Sequence, residues 1–160
     1  MAIRNIVKEG EPILSKKCRT VEKFDQRLWD LLDDMADTLK ESNGVGLAGP
    51  QVGIMRRVCV IDVGEGVVEF INPTIIETKG EHEVTEGCLS CPNEYGMVKR
   101  PEYVKTKAFD RNGNEFEIEG EDLFAQAMCH EFDHLDGILF KEKAEYMLAP
   151  EELEELRNQE

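Results

Sequence analysis

Residues 126–137 read QAMCHEFDHLDG, and the His-Glu-x-x-His inside that stretch constrains this chain more than any other feature. Residues four apart lie one above the other on the same face of a helix. On a helix, His130 and His134 can therefore reach one metal ion. Glu131 falls one position further round, where a base for water belongs rather than a ligand. The spacing predicts this helix from about Asp122 to Asp136, with Gly137 as its stop. Its face continues back through Ala127 and Leu123, so the histidine pair is expected to look inward. The chain has only three histidines, and two of them form this motif. That weakens the reading of a solvated helix with scattered histidines.

Two histidines do not complete a site. One candidate third ligand is a downstream acid, but Glu151, Glu152, Glu154 and Glu155 form a terminal acidic run that reads as a solvated helix face. The other is upstream, in EGCLSCP, where Cys88 supplies a soft, deprotonatable sulfur. Two imidazoles and one thiolate leave a position open for water, as a catalytic site requires. A non-enzymatic alternative draws Cys91 and Cys129 into a closed structural zinc site, which takes four protein ligands. It gives Glu131 no role. Taken singly, Cys91 and Cys129 read as small buried thiols.

Composition narrows the partners. The formal charge is -15, from 34 acidic against 19 basic residues, and such a surface repels phosphate backbones. No direct nucleic-acid partner is expected, and no apolar run approaches the roughly 20 residues that span a membrane. Five cysteines, an odd count, and a start without a signal-like apolar stretch point to a reducing, cytoplasmic setting.

At 160 residues the expectation is a single domain, 1–160, with a real core. Leu28, Leu31, Leu32, Met35 and Leu39 recur at helical spacing, with Asp25 as a cap and Gly44 as a stop. Short β-branched runs follow: RVCVIDV, VVEFI, TIIETK and HEVTEGCLS. YVKTKAFDRNGNEFEIEG reads as a hairpin turning at Asn112-Gly113, and Pro150 opens a last helix. Strands surround a few helices rather than alternating with them. The fold class is therefore α+β: antiparallel sheets packed around the His-Glu-x-x-His helix, with one N-terminal and one C-terminal helix.

Three separated stretches, GVGLAGPQVG (44–53), EGCLS (86–90) and HEFDHLDG (130–137), resemble in order and spacing the motifs of the peptide deformylase family. The resemblance extends from EPILSKKC to KEKAEY. It implies a single catalytic domain of that kind, removing the N-formyl group from N-formylmethionyl peptides of nascent chains. It further implies one divalent ion held by Cys88, His130 and His134. The family's most active form carries Fe2+, and Zn2+, Ni2+ or Co2+ are alternatives. Glu131 would be the acid/base, and Gln51 with the backbone N–H of Leu89 would stabilise the oxyanion. Glu86 and Arg100 would pair and brace the ligand loop. The helix face of Gln126, Ala127 and Leu123, with Val45, is expected to line the methionine pocket, with Gly46 and Gly87 beside the substrate. The Gly44–Gly46 segment would pair with the peptide like an added strand.

The chain departs from the family pattern in places. Gly49 stands where alanine is common, which is expected to loosen that turn. Cys91 and Cys129 are extra thiols. The final helix sets Glu151, Glu152, Glu154, Glu155 and Glu160 against Arg157, so docking on the ribosome through this helix is not expected, although proximity to the ribosome is.

Overall fold

The computed structural model describes residues 2–158; Met1, Gln159 and Glu160, and with them the end of the expected C-terminal helix, lie outside the described residues. The architecture is α+β. Helix α1 (Gln26–Ser42) precedes strand β1 (Gly46–Ala48), a 3₁₀ turn (Gly49–Val52) and β2 (Val58–Ile61). Strands β3 (Val68–Lys79), β4 (His82–Cys88), β5 (Cys91–Arg100), β6 (Tyr103–Phe109) and β7 (Glu115–Glu121) lead to α2 (Asp122–Leu135). The chain closes with α3 (Phe140–Lys143), β8 (Ala144–Met147) and α4 (Pro150–Asn158). All strand pairs are antiparallel: one sheet runs β1-β2-β3-β6-β7, the other β4-β5-β8.

Strand β2, VCVI, is buried at every position. The reason is that the larger sheet has a helix on each face. Val58 and Val60 pack with Leu28, Leu32, Met35 and Leu39 of α1, whereas Cys59 and Ile61 pack with Ala125, Met128 and Leu135 of α2. A strand covered on both sides loses its alternation and reads as one apolar run. Each such aliphatic side chain contributes about 1.5–3 kcal/mol on burial.

The capping of α1 differs from expectation in one residue. Asp25 accepts a hydrogen bond from the Leu28 N–H, as a cap should. The left-handed turn at the other end falls on Asn43, φ 56°, and not on Gly44. Gly44 is small for another reason: a Cβ there would lie 2.8 Å from Leu89 Cδ1 and 3.1 Å from Leu39 Cδ1.

VVEFI and TIIETK, expected as separate runs, form the single strand β3. The interruption is local: Asn72 adopts φ 51° before Pro73, and the register slips between Ile71 and Thr74. The Asn72 amide is used there, its oxygen accepting from the Val21 N–H and its nitrogen donating to the Val21 carbonyl. Strand β5, which is not among the runs read as strands from sequence, runs unbroken from Cys91 to Arg100. Its Pro92 and Gly96 hide it from propensity, and pairing with β4 and β8 decides the outcome.

Helix α2 is buried at nine of its fourteen residues, so its polar side chains need partners. It stops where expected. Gly137 takes φ 78°, and a Cβ there would lie 2.7–2.9 Å from the backbone of Ser15 and Lys16. Gly137→Ala should therefore lower unfolding stability by at least about 2 kcal/mol in urea titration, combining left-handed strain with a backbone clash. A change inside experimental error would mean that this junction is not held closed.

Candidate metal centre

Helix α2 and the β4–β5 hairpin meet at the three candidate ligands. One ligand atom each from Cys88, His130 and His134 lies within 4.8 Å of the others. Cys88 Sγ is 3.3 Å from His134 Nε2, and the imidazole rings meet edge to face at 4.9 Å. His130 turns its other nitrogen, Nδ1, to Glu86 Oε2 at 2.8 Å. An ionised carboxylate only accepts, so Nδ1 donates and Nε2, 3.9 Å from Glu131 Oε2, is the nitrogen left to ligate.

Glu86 is the hub of a buried ionic cluster. Arg100 donates through Nε to Oε1 at 3.0 Å and through Nη2 to Oε2 at 2.5 Å. Its Nη1 reaches Asp133 Oδ2 at 2.8 Å. Gln126 Nε2 adds contacts to Glu86 Oε1 at 3.3 Å and to the Thr85 carbonyl at 3.1 Å. Burial opposes ionisation of Glu86, but the hydrogen bonds from His130 and Arg100 prevail and hold its carboxyl down to about 2. The expected Glu86–Arg100 pair is present, and both side chains are almost wholly buried.

The remaining charges are set by burial as well. Burial pushes Glu131 up to about 7. It also pushes His134 well below its ordinary value, helped by His130. For His130 burial acts in the same direction, but the carboxylates of Glu131 and Glu86 outweigh it and raise the group. A hydrogen bond with Cys91, burial and the Glu131 carboxylate push the Cys88 thiol up in the absence of an ion. A divalent cation reverses such a shift, since a coordinated thiol is deprotonated.

These residues fit a divalent metal. The donor set of one sulfur and two imidazole nitrogens is that of an open, three-ligand site. A buried oxygen of the neighbouring acid, Glu131 Oε1, has no protein partner among the described residues. The closed four-ligand alternative does not assemble. Cys129 packs into the core beside Phe132. Cys91 groups with Glu9 and Glu94, and that pair is already occupied by the Lys141 ammonium at 2.8 and 2.6 Å. Glu151, Glu152, Glu154 and Glu155 appear in no ligand group among the described residues.

A cleft of about 460 Å³ opens beside the triad, lined in part by Val45, Gly46, Gly87, Leu123, Gln126 and Ala127. Ala127 is buried, whereas Leu123 is 48% exposed, because the first turn of α2 emerges at the rim. The inward face expected of this helix thus begins at Ala127. Gln51 Oε1 accepts from the Ala48 N–H at 3.0 Å, which aims Nε2 at Ser90 Oγ, 3.1 Å away, and at Cys88 Sγ, 3.5 Å away. Leu89 lines the same cleft. Gly46 carries a constraint beyond substrate approach: a Cβ there would lie 2.5 Å from Glu131 Oε2. Gly49 is tight rather than loose, since its Cβ would lie 2.8 Å from the Arg56 carbonyl oxygen and 2.9 Å from that of Ile54.

Sequence reading missed two contributors, Ser90 and Asp133. Both sit inside the quoted motifs, but their partners, Gln51 and Arg100, come from other segments.

The comparisons with known proteins bear on the chain as a whole. The family model for polypeptide deformylase matches residues 3–148. The chain is 54% identical over 158 residues to a peptide deformylase of Caldicellulosiruptor bescii, covering 99% of this chain and 95% of that protein. It is 58% identical over 143 residues to peptide deformylase 1 of Clostridium acetobutylicum, covering 89% and 95%. Among solved structures, a peptide deformylase from Thermotoga maritima superposes with a TM-score of 0.89 at 38% identity, over 91% of this chain and all of that one.

The ionic cluster yields a test. Arg100→Leu leaves the Glu86 carboxylate buried with reduced compensation and should cost about 3–5 kcal/mol. The pH dependence has a fixed sign. A depressed carboxyl gives stability that is complete above its ordinary value of 4.5 and is lost as pH falls toward about 2. Urea titrations from neutral pH into that range should show a steeper acid loss for the parent than for Arg100→Leu. Parallel curves would show that Glu86 is not held by this pair.

Proposed function

The chain belongs to the polypeptide deformylase family, a family of metal-dependent hydrolases, and removes the N-formyl group from nascent polypeptides; from the site's geometry we propose how its residues divide that work. Cys88, His130 and His134 would hold one divalent ion, with Glu86 orienting His130 from behind. We take the working metal as Fe2+, with Zn2+, Ni2+ and Co2+ as alternatives that this donor set accepts. When bound, such an ion acts as a Lewis acid and makes water a nucleophile near neutral pH.

Glu131 moves the proton. Its carboxyl, buried and raised to about 7, passes between its two protonation states near neutrality. It takes a proton from the attacking water and returns it to the departing amine. Gly46 packs against Oε2, the oxygen 3.9 Å from His130 Nε2, while Oε1 is buried with no protein partner among the described residues. Gln51 Nε2, held in one orientation by the Ala48 N–H, and the Leu89 N–H donate to the oxygen on which charge develops.

Substrate lies between two sheet edges. Strands β1 and β4 each end a sheet, and residues of both line the cleft. An extended peptide can add to such an edge, so backbone contacts carry affinity and one side-chain pocket carries specificity. Val45, Gly46, Gly87, Leu123, Gln126 and Ala127 form that pocket for methionine, within one catalytic domain spanning residues 1–160. A cytoplasmic enzyme working near the ribosome fits such a substrate. No helix among the described residues is long and apolar enough to cross a membrane.

The observation that carries this reading is the partnerless, buried Glu131 oxygen beside three converging ligand atoms. A ligand fixes the ion, while a base only moves protons. Glu131→Ala should keep the fold and one metal per chain yet lose deformylation about a thousandfold or more. Cys88→Ala should instead lose the metal, read by metal analysis after dialysis. Gly46→Ala, which displaces the Glu131 carboxylate, should resemble Glu131→Ala in kind. Parent-level deformylation by Glu131→Ala would overturn the assignment.

A further inference from the structure

A second cleft is larger than the substrate cleft. It measures about 770 Å³ and lies between the segment leading into α1 and the loop after the Gly49–Val52 turn. Arg4, Arg19, Lys23, Arg27 and Arg56 line it, with Glu22, Asp25 and Asp30 as its only carboxylates. Asp25 caps α1 and Asp30 accepts from Gln26, but both keep their charge, so the lining carries five basic against three acidic side chains. On a chain with 34 acidic and 19 basic residues, this is a local inversion of charge.

The distribution of arginine partners sharpens the point. Arg4, Arg57, Arg100 and Arg111 are each tied to a carboxylate. Among the described side chains the arginines without an ion pair are Arg19, Arg27 and Arg56, and all three line this one cleft. Arg19 and Arg56 are moreover direct partners in an isolated parallel bridge, fastened by Arg19 N–H to the Met55 carbonyl and Arg57 N–H to the Arg19 carbonyl. Like charges set side by side are destabilising unless an anion lies between them. Guanidinium forks without a carboxylate partner match the geometry of phosphate oxygens, and three of them line this cleft.

We propose that this cleft docks the phosphodiester backbone of RNA, through Arg19, Arg27 and Arg56 with Lys23. The proposal rests on the deformylase reading: a nascent chain is presented by the ribosome, an RNA-rich particle. The cleft's chemistry favours backbone over base. Arg19, Lys23 and Arg27 are exposed, and the lining contains no aromatic side chain on which a base could stack. The net charge of -15 does not forbid contact. Charges beyond about 8 Å are largely screened at physiological ionic strength, so the local wall decides, and the remaining surface turns this face toward a polyanion. The loop that carries Arg56 continues directly from the turn that holds Gln51, which places docking and deformylation on one short segment.

The test uses metal-loaded full-length protein and a fluorescein-labelled RNA hairpin, read by anisotropy. The parent should bind, and binding should weaken roughly 50- to 150-fold between about 50 and 200 mM salt, as four phosphate contacts require. The triple variant Arg19→Gln, Arg27→Gln, Arg56→Gln should bind at least about tenfold more weakly with a flatter salt slope. It should retain the parent's thermal midpoint and its rate on free formyl-Met-Ala-Ser. Equal RNA binding by parent and variant, or none by the parent at low salt, overturns the proposal. So does inorganic tripolyphosphate that saturates the cleft while RNA fails to displace it, which would make this a small-anion site. A parent inactive on the free tripeptide would instead overturn the deformylase reading.

Discussion

Everything at the metal centre depends on burying one carboxylate against one guanidinium. Helix α2 runs through the core, so His130, Glu131 and His134 are all withdrawn from water. An imidazole in that setting has no fixed tautomer until something behind it supplies an acceptor. Glu86 does so, and it stays ionised there because Arg100 donates to both of its oxygens. Arg100 in turn reaches Asp133, one turn along the helix face from His130. The β4–β5 hairpin that carries Cys88 is thereby fastened to the helix that carries both histidines. A buried ion pair is weak evidence for stability in general. Here its geometric consequence is the point, because it sets where Cys88 stands relative to the two rings.

The two carboxylates of the centre are held in opposite states by the same burial. Glu86 meets donors on both oxygens and stays ionised; Glu131 meets none at Oε1 and rises to about 7. In the proposed reaction one orients and the other transfers protons, a division that follows from environment and not from residue type. Gly46 completes it by leaving no room for a side chain beside Glu131.

The helix bearing the metal motif was legible because a 3.6-residue period and a stop at Gly137 are local properties, and Gly137 does adopt the left-handed turn. The α+β class and the hairpin at Asn112-Gly113 were legible for the same reason. Strand β5 was not, since Pro92 and Gly96 argue against a strand and only pairing with β4 and β8 makes one. The work of Ser90 and Asp133 was equally hidden, because each depends on a partner from a distant segment. The arginine-lined cleft was hidden twice. Arg19, Arg27 and Arg56 are scattered along the chain, and a net charge of -15 says nothing about where the minority sign collects.

The most direct measurement is formate release by anaerobically purified, metal-loaded protein offered formyl-Met-Ala-Ser, alongside the unformylated peptide and an unformylated casein-like substrate. A converging Cys-His-His set with a proton-moving glutamate at a sheet edge predicts one formate released per formylated peptide and intact internal peptide bonds in all three. A formylated tripeptide left untouched, or cleavage of internal bonds in the unformylated substrates, would contradict it.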